Sequence, residues 1–93
     1  MPEKILILGS RGFIGKNLFD YFNSNKNFIT IGLTRKDVDF SDAKALVPIV
    51  KNIMPSIVIH TAVSLDNFEN NIKMYLALEN IATFVSKILL IGS

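Results

Sequence analysis

Apolar and polar positions follow two rhythms along this chain, and each change of rhythm marks an element. Ile5-Leu6-Ile7-Leu8 is an unbroken apolar run that stops at Gly9, the pattern of a strand buried on both faces, as in a parallel sheet. From Phe13 to about Ser24 the period lengthens. Ile14, Leu18, Tyr21 and Phe22 fall on one side and Lys16, Asp20 and Asn23 on the other, which predicts an amphipathic helix. Asn23 to Asn27 is a polar turn, and Phe28-Ile29-Thr30-Ile31-Gly32-Leu33 reads as a second strand, rich in β-branched residues. Val38-Asp39-Phe40 is short enough to be a minimal third strand. Ser41 then has the chemistry of an N-cap, with Asp42 in the first turn of a helix reaching about Asn52. Pro48 lies inside that helix, where a missing donor and a ring clash predict a kink or a restart. Pro55 ends the connection. Ile57-Val58-Ile59 is a further buried strand leading into His60-Thr61-Ala62-Val63. Asn70 to about Ser86 forms the longest helix, and Lys87-Ile88-Leu89-Leu90-Ile91-Gly92-Ser93 a last apolar strand.

The order β-α-β-(β)-α-β-α-β with short links predicts an α/β doubly wound parallel sheet, strand order 3-2-1-4-5, built through right-handed crossovers. On the helix after the fourth strand, Met74, Tyr75, Ala77, Leu78, Ile81, Ala82, Phe84 and Val85 spread wider than the ~100° stripe of a one-sided surface helix. That width fits either deep packing on the sheet or a partner. A homodimer through the 70–86 helix or through the 88–92 edge strand is therefore an expectation, since an unpaired edge strand templates association.

At 93 residues the chain is one small domain, residues 1–93, with 49% apolar and 19% charged positions, a composition that excludes intrinsic disorder. There are no cysteines, so no disulfide supports the core, and with one histidine no metal cluster is expected. Ten Lys and Arg residues give a net charge of +2 but are scattered, Arg35-Lys36 being the only adjacent pair. This does not build the basic stripe that nucleic-acid binding requires. The apolar run before Gly9 is too short for a signal peptide, and no run reaches membrane-spanning length. A cytoplasmic chain with no membrane partner is expected, and the absence of cysteine fits a reducing compartment.

The candidate chemistry is concentrated in Gly9-Ser10-Arg11-Gly12-Phe13-Ile14-Gly15, between the first strand and the first helix, where a dinucleotide fold seats its pyrophosphate. Gly9 can turn the chain at positive φ. Gly12 lets backbone approach phosphates without a Cβ, and Gly15 lets the helix lie close to the strands. The free N–H groups of the first helical turn would then face the anion. Lys16 is followed by Asn17, not Ser or Thr, which excludes a Walker A loop. Arg35 takes the place after the second strand where an acidic residue would hold the ribose hydroxyls of NAD. With Arg11 it can fork onto a 2′-phosphate, so NADP is favoured, with NAD as the alternative. Arg35 and Lys36 can equally be a charged turn near Asp37. Thr61, Ala62 and Val63 follow a strand at its carboxyl end, the edge where ligands lie in open α/β sheets. A lone histidine inside a strand, His60, is read as a packed residue.

Leu8-Gly9-Ser10-Arg11-Gly12-Phe13-Ile14-Gly15-Lys16-Asn17-Leu18, Leu33-Thr34-Arg35, Val58-Ile59-His60-Thr61-Ala62 and Ile88-Leu89-Leu90-Ile91-Gly92-Ser93 stand in the order found in the extended short-chain dehydrogenases/reductases. The chain resembles that family of nucleotide-sugar epimerases, dehydratases and reductases, its GDP-fucose synthase and dTDP-4-dehydrorhamnose reductase branches above all. The resemblance implies a Rossmann-like fold and a dinucleotide cofactor. It also implies an adenine site with Asp39 accepting from the exocyclic amine beside Phe40, and a substrate-oxygen role for Ser93. It further implies a Tyr-x-x-x-Lys acid/base pair. The chain's tyrosines, Tyr21 and Tyr75, are followed at that spacing by Asn25 and Glu79, so neither forms the pair. Two readings follow. One is the N-terminal, NAD(P)-binding segment of a nucleotide-sugar epimerase or reductase of polysaccharide biosynthesis, cut before its substrate-binding domain and incomplete as a catalyst. The other is a non-catalytic dinucleotide- or partner-binding module.

Overall fold

The computed structural model describes residues 2–61 and 68–91. Four parallel strands, β1 (Glu3–Leu8), β2 (Phe28–Leu33), β3 (Ile57–His60) and β4 (Lys87–Leu90), form one sheet in the order β2-β1-β3-β4. Helix α1 (Phe13–Asn23) links β1 to β2, α2 (Ala43–Ile53) links β2 to β3, and α3 (Phe68–Ile81) precedes β4. Consecutive side chains of a strand point to opposite faces, and β1 supplies both layers of the core. Ile5 and Ile7, with Ile59, pack under Leu18, Phe19 and Phe22 of α1. Leu6 and Leu8 face the other way and join Val58, Leu46 and Val50 of α2, and Met74, Ala77, Leu78 and Ile81 of α3. The four β1 side chains are at most 1% exposed, each contributing about 1.5–3 kcal/mol by burial, which makes β1 the axis of the fold. Register pairs Leu8 with Leu33 on one side and His60 on the other, so three strands end together at one edge.

The expected five strands in the order 3-2-1-4-5 are corrected to four. The strand that is lost is the outermost one, Val38–Phe40. Val38 and Phe40 are buried at 7% and 2% exposure, which accounts for their apolar alternation. The segment runs between two side-chain-closed turns, however, one tied by Asp37 to Thr34 and one by Asp39 to Ser41, and takes no place in the ladder. The α2 N-cap is Asp42 and not Ser41: the Asp42 carboxylate accepts from the Lys44 N–H at 3.1 Å, while the Ser41 hydroxyl donates to Asp39 at 2.6 Å. Of the kink or restart expected at Pro48, the restart does not occur: α2 runs as one helix through it. Pro48 is on the exposed side while Leu46 and Val50 are wholly buried, so packing holds the turn that the ring weakens. Helix α3 ends at Ile81, short of Ser86. No helix among the described residues is long and apolar enough to cross a membrane.

Candidate functional site

The edge where β1, β2 and β3 end is closed by the glycine turn. Gly9 has φ 92°, a conformation in which a side chain would be strained, so the expected turn role holds. The Gly9 and Ser10 N–H groups both donate to the Leu33 carbonyl, at 2.8 and 3.2 Å, and the Gly12 N–H donates back to the Gly9 carbonyl at 3.1 Å. From the opposite side, the Thr61 N–H donates to the Leu8 carbonyl at 2.9 Å. The Thr61 hydroxyl lies 2.9 Å from the Leu8 oxygen and 3.1 Å from the Gly9 oxygen. Gly15 is the close-approach glycine. A Cβ there would overlap the Gly9 carbonyl oxygen and come within 2.9 Å of Thr61 Oγ1. Gly12 is different: its φ is −68°, and an added Cβ would meet only the Gly9 oxygen at an ordinary 3.5 Å. What it leaves free is space in front of the turn.

Gly12 is also the N-cap of α1. It provides no side-chain cap, and no acidic residue stands in the first turn, so the N–H groups of Phe13, Ile14 and Gly15 have no partner within the helix. An anion placed there gains those donors and the positive end of the helix dipole. In front of them opens a cleft of about 310 Å³ lined by Gly9, Arg11, Gly12, Thr34, Arg35, Lys36 and Thr61. The basic wall is shaped by a turn after β2. Asp37 Oδ2 accepts from the Thr34 N–H at 2.8 Å and the Thr34 hydroxyl at 3.1 Å. These bonds, the backbone one first, hold the Asp37 carboxyl below its ordinary range, with help from the Arg11 charge. The acid near Arg35 and Lys36 is thereby engaged in shaping their turn.

Of the residues singled out by sequence, Gly9, Arg11, Gly12, Arg35 and Thr61 meet in this cleft. Asp39 and Phe40 line a neighbouring recess of about 240 Å³ with Arg35 and Met74. Phe40 is 2% exposed, its ring edge-to-face with His60 at 5.7 Å, and so serves the core as well. Asp39 Oδ1 accepts from the Ser41 hydroxyl and N–H at 2.6 and 2.9 Å, which holds the carboxyl below its usual value. Ser10 turns away from the cleft. It packs on Gly32, where a Cβ would come within 2.6 Å of its hydroxyl, and lines a groove against α1 with Arg11, Lys16, Phe19, Asp20 and Gly32. Phe13 is 86% exposed and Ile14 half-buried, so their contribution to the cleft is backbone. Ala62, Val63 and Ser93 lie outside the described residues. His60 is fully buried, and burial, then the Arg35 charge, lowers its pKa to about 4; it is a neutral, packed residue. Among the described residues no group of acids and histidines could hold a metal ion.

Four residues, Thr34, Asp37, Gly32 and Met74, shape this edge without a site role assigned from the sequence. Thr34 and Asp37 stand three apart, a spacing that signals a side-chain-closed turn. A glycine inside a strand such as Gly32 signals a close approach. Met74 carries no signal of its own among the apolar residues of α3.

The family profile of the RmlD substrate binding domain matches residues 3–84. A GDP-L-fucose synthetase from Naegleria fowleri superposes with a TM-score of 0.80 at 26% identity, over 95% of this chain and 30% of that one; a second structure of it, at 0.77 and 25%, is bound to NADP. A GDP-D-glycero-L-gluco-heptose synthase from Campylobacter jejuni, in the presence of NADPH, gives 0.79 at 22% identity over 96% and 30%. The dTDP-4-dehydrorhamnose reductase of Bacillus anthracis, in complex with NADP, gives 0.65 at 14% over 99% and 53%. These last two likenesses concern the fold alone. Among curated proteins there is no match. The chain spans between about a third and about half of these proteins. With the profile running over nearly all of its strands and helices, the chain belongs to the RmlD substrate binding domain family.

Proposed function

We propose that this chain is the NADP-binding segment of a nucleotide-sugar reductase, synthase or epimerase. The observation that carries the reading is the meeting of Arg11, Arg35 and Lys36 with Gly9 and Gly12 around one cleft, at the carboxyl edge of parallel strands. The residues fit the group. The turn at Gly9 and the missing Cβ of Gly12 admit a pyrophosphate, and the N–H groups of Phe13, Ile14 and Gly15 donate to it. Arg11 and Arg35 pair with the 2′-phosphate, and Asp39 offers Oδ2 to the adenine amine beside Phe40. When bound, NADP supplies hydride transfer. The crystallisation of the Naegleria fowleri enzyme with NADP supports the assignment. Ser93 is proposed to hold the substrate oxygen in the whole enzyme. Tyr21 and Tyr75, 65% and 41% exposed on α1 and α3, lie on outer helix faces and are not proposed as the acid/base.

Titration calorimetry with NADPH and NADH tests this. NADPH is expected to bind more tightly, Arg35→Ala to remove most of the difference, and the chain alone to show no hydride transfer with nucleotide sugars. Equal affinities for the two nucleotides would overturn the NADP assignment. A second reading, a partner-binding module, is favoured by one observation. Ile72, Tyr75 and Leu76, a stripe on the outer side of α3, are 43%, 41% and 55% exposed. Absence of binding to either nucleotide, together with self-association, would favour it.

A further inference from the structure

The first peptide of the glycine turn is held from both neighbouring strands at once. Its N–H side, at Ser10, donates to Leu33 at the end of β2. Its C=O side, at Gly9, receives the Gly12 N–H at 3.1 Å and the Thr61 hydroxyl at 3.1 Å. The same hydroxyl is 2.9 Å from the Leu8 oxygen, so one hydrogen is shared between consecutive carbonyls on either side of the Gly9 Cα. Those carbonyls bracket the residue at φ 92°, the one dihedral that swings the chain out of β1. Thr61 Oγ1 also lies against Gly15, where a Cβ would come within 2.9 Å of it. The hydroxyl therefore touches the turn at its first and last glycines, and turn and helix cannot shift past it separately.

We propose that Thr61 is a positioning residue of the cleft, whose hydroxyl clamps the Leu8–Gly9–Ser10 backbone and thereby aims the N-terminus of α1 at a bound phosphate. A threonine at the carboxyl end of a strand is otherwise a small residue past which a ligand slides. Here its hydroxyl is turned to the protein backbone, and the effect on a ligand is transmitted through Gly9. The consequence for nucleotide affinity rests on the proposed NADP-binding function, whereas the clamp itself does not.

The test compares the full chain with Thr61→Val, which keeps the shape and removes the hydroxyl, and with the pair Thr61→Ser and Thr61→Ala, both smaller and differing by the hydroxyl alone. Without nucleotide, amide hydrogen exchange at Ser10 and Gly12 should speed up about tenfold in Thr61→Val and Thr61→Ala, the size of one lost hydrogen bond, and stay within about twofold of the original in Thr61→Ser. With NADPH, calorimetry should give a dissociation constant raised about tenfold in the first two variants and restored in Thr61→Ser. Unchanged exchange in both Thr61→Val and Thr61→Ala, or a Thr61→Ser chain as loose as Thr61→Ala, would overturn the clamp. Should Thr61→Val fail to fold, the serine and alanine pair decides alone. If the unsubstituted chain does not bind NADPH, the proposed function fails and the exchange rates still decide the clamp. If it binds NADPH and the alanine variant binds equally well, the transmission to the ligand fails while the function stands.

Discussion

His60 ends β3 fully buried, its ring edge-to-face with Phe40, and its pKa is lowered from 6.5 to about 4 by burial first and by the Arg35 charge second. The folded protein thus keeps His60 neutral in a range where the unfolded chain has already taken up a proton. Between pH 6.5 and 4 the unfolded state binds more protons, so stability rises with pH there. The contribution is complete above 6.5 and is lost as pH falls toward 4, by on the order of 3 kcal/mol. Asp37 and Asp39, whose pKa values are lowered from 3.8, act only below that window. Urea unfolding at pH 7, 5.5 and 4.5 should show the midpoint falling with pH, and His60→Leu should flatten that slope whatever its own cost. A midpoint equal at pH 7 and 4.5 would show that His60 titrates normally. At this scale the glycines were legible, because a glycine between a strand and a helix has few reasons to be there. The Thr61 hydroxyl was not, since its acceptor, the Gly9 carbonyl, is 52 positions away in sequence.

Helix α2 shows how an element is decided by a competition among neighbouring residues. Ser41 and Asp42 are both good caps, but the Asp39 carboxylate captures the Ser41 hydroxyl at 2.6 Å, and the cap passes to Asp42, which receives the Lys44 N–H. Asp42→Ala should therefore cost about 1 kcal/mol, a fall of about 4–8 °C in Tm for a chain of this size. Asp42→Asn, an equivalent cap, should be nearly neutral. An alanine variant that melts with the original would return the cap to Ser41. The same competition explains what the sequence pattern conveyed and what it did not. β2 was legible to the residue, because Phe28-Ile29-Thr30-Ile31 and Leu33 favour a strand and outweigh the single Gly32. Val38-Asp39-Phe40 has the same alternation in miniature, but pairing needs a free backbone beside β2, and side-chain bonds to Thr34 and Ser41 close the chain into turns on both flanks. Propensity at Pro48 argued for a break, yet two wholly buried side chains, Leu46 and Val50, outweigh one absent donor. Such contests between local preference and packing are settled by neighbours that a single pattern does not contain.

The molecule as a whole is covered unevenly. Helices α2 and α3 share one face of the sheet, while on the other face α1 lies over β1 and β2. By register, Leu89 sits beside Ile59 on the α1 side, and Leu90 beside His60 on the opposite side. They are 44% and 50% exposed. β4 therefore exposes one leucine on each face although Ile88 packs on the core, and among the described residues it is the last strand of the order, with an edge that no other strand pairs. A second copy laid against β4 would satisfy the edge and cover both leucines, whereas one docked on α3 would cover only Ile72, Tyr75 and Leu76. Association of the chain through β4 is the expected outcome, since its three consecutive apolar residues, preceded by the single charge of Lys87 and free of proline, leave the edge weakly guarded. Sedimentation velocity should show species above the 10.4 kDa monomer that grow with concentration. Leu89→Lys, which places a charge on that strand, should return the chain to a monomer, and Leu76→Lys on α3 should leave the association in place. A monomer at every concentration would exclude both surfaces, and dissociation by Leu76→Lys alone would move the contact to α3.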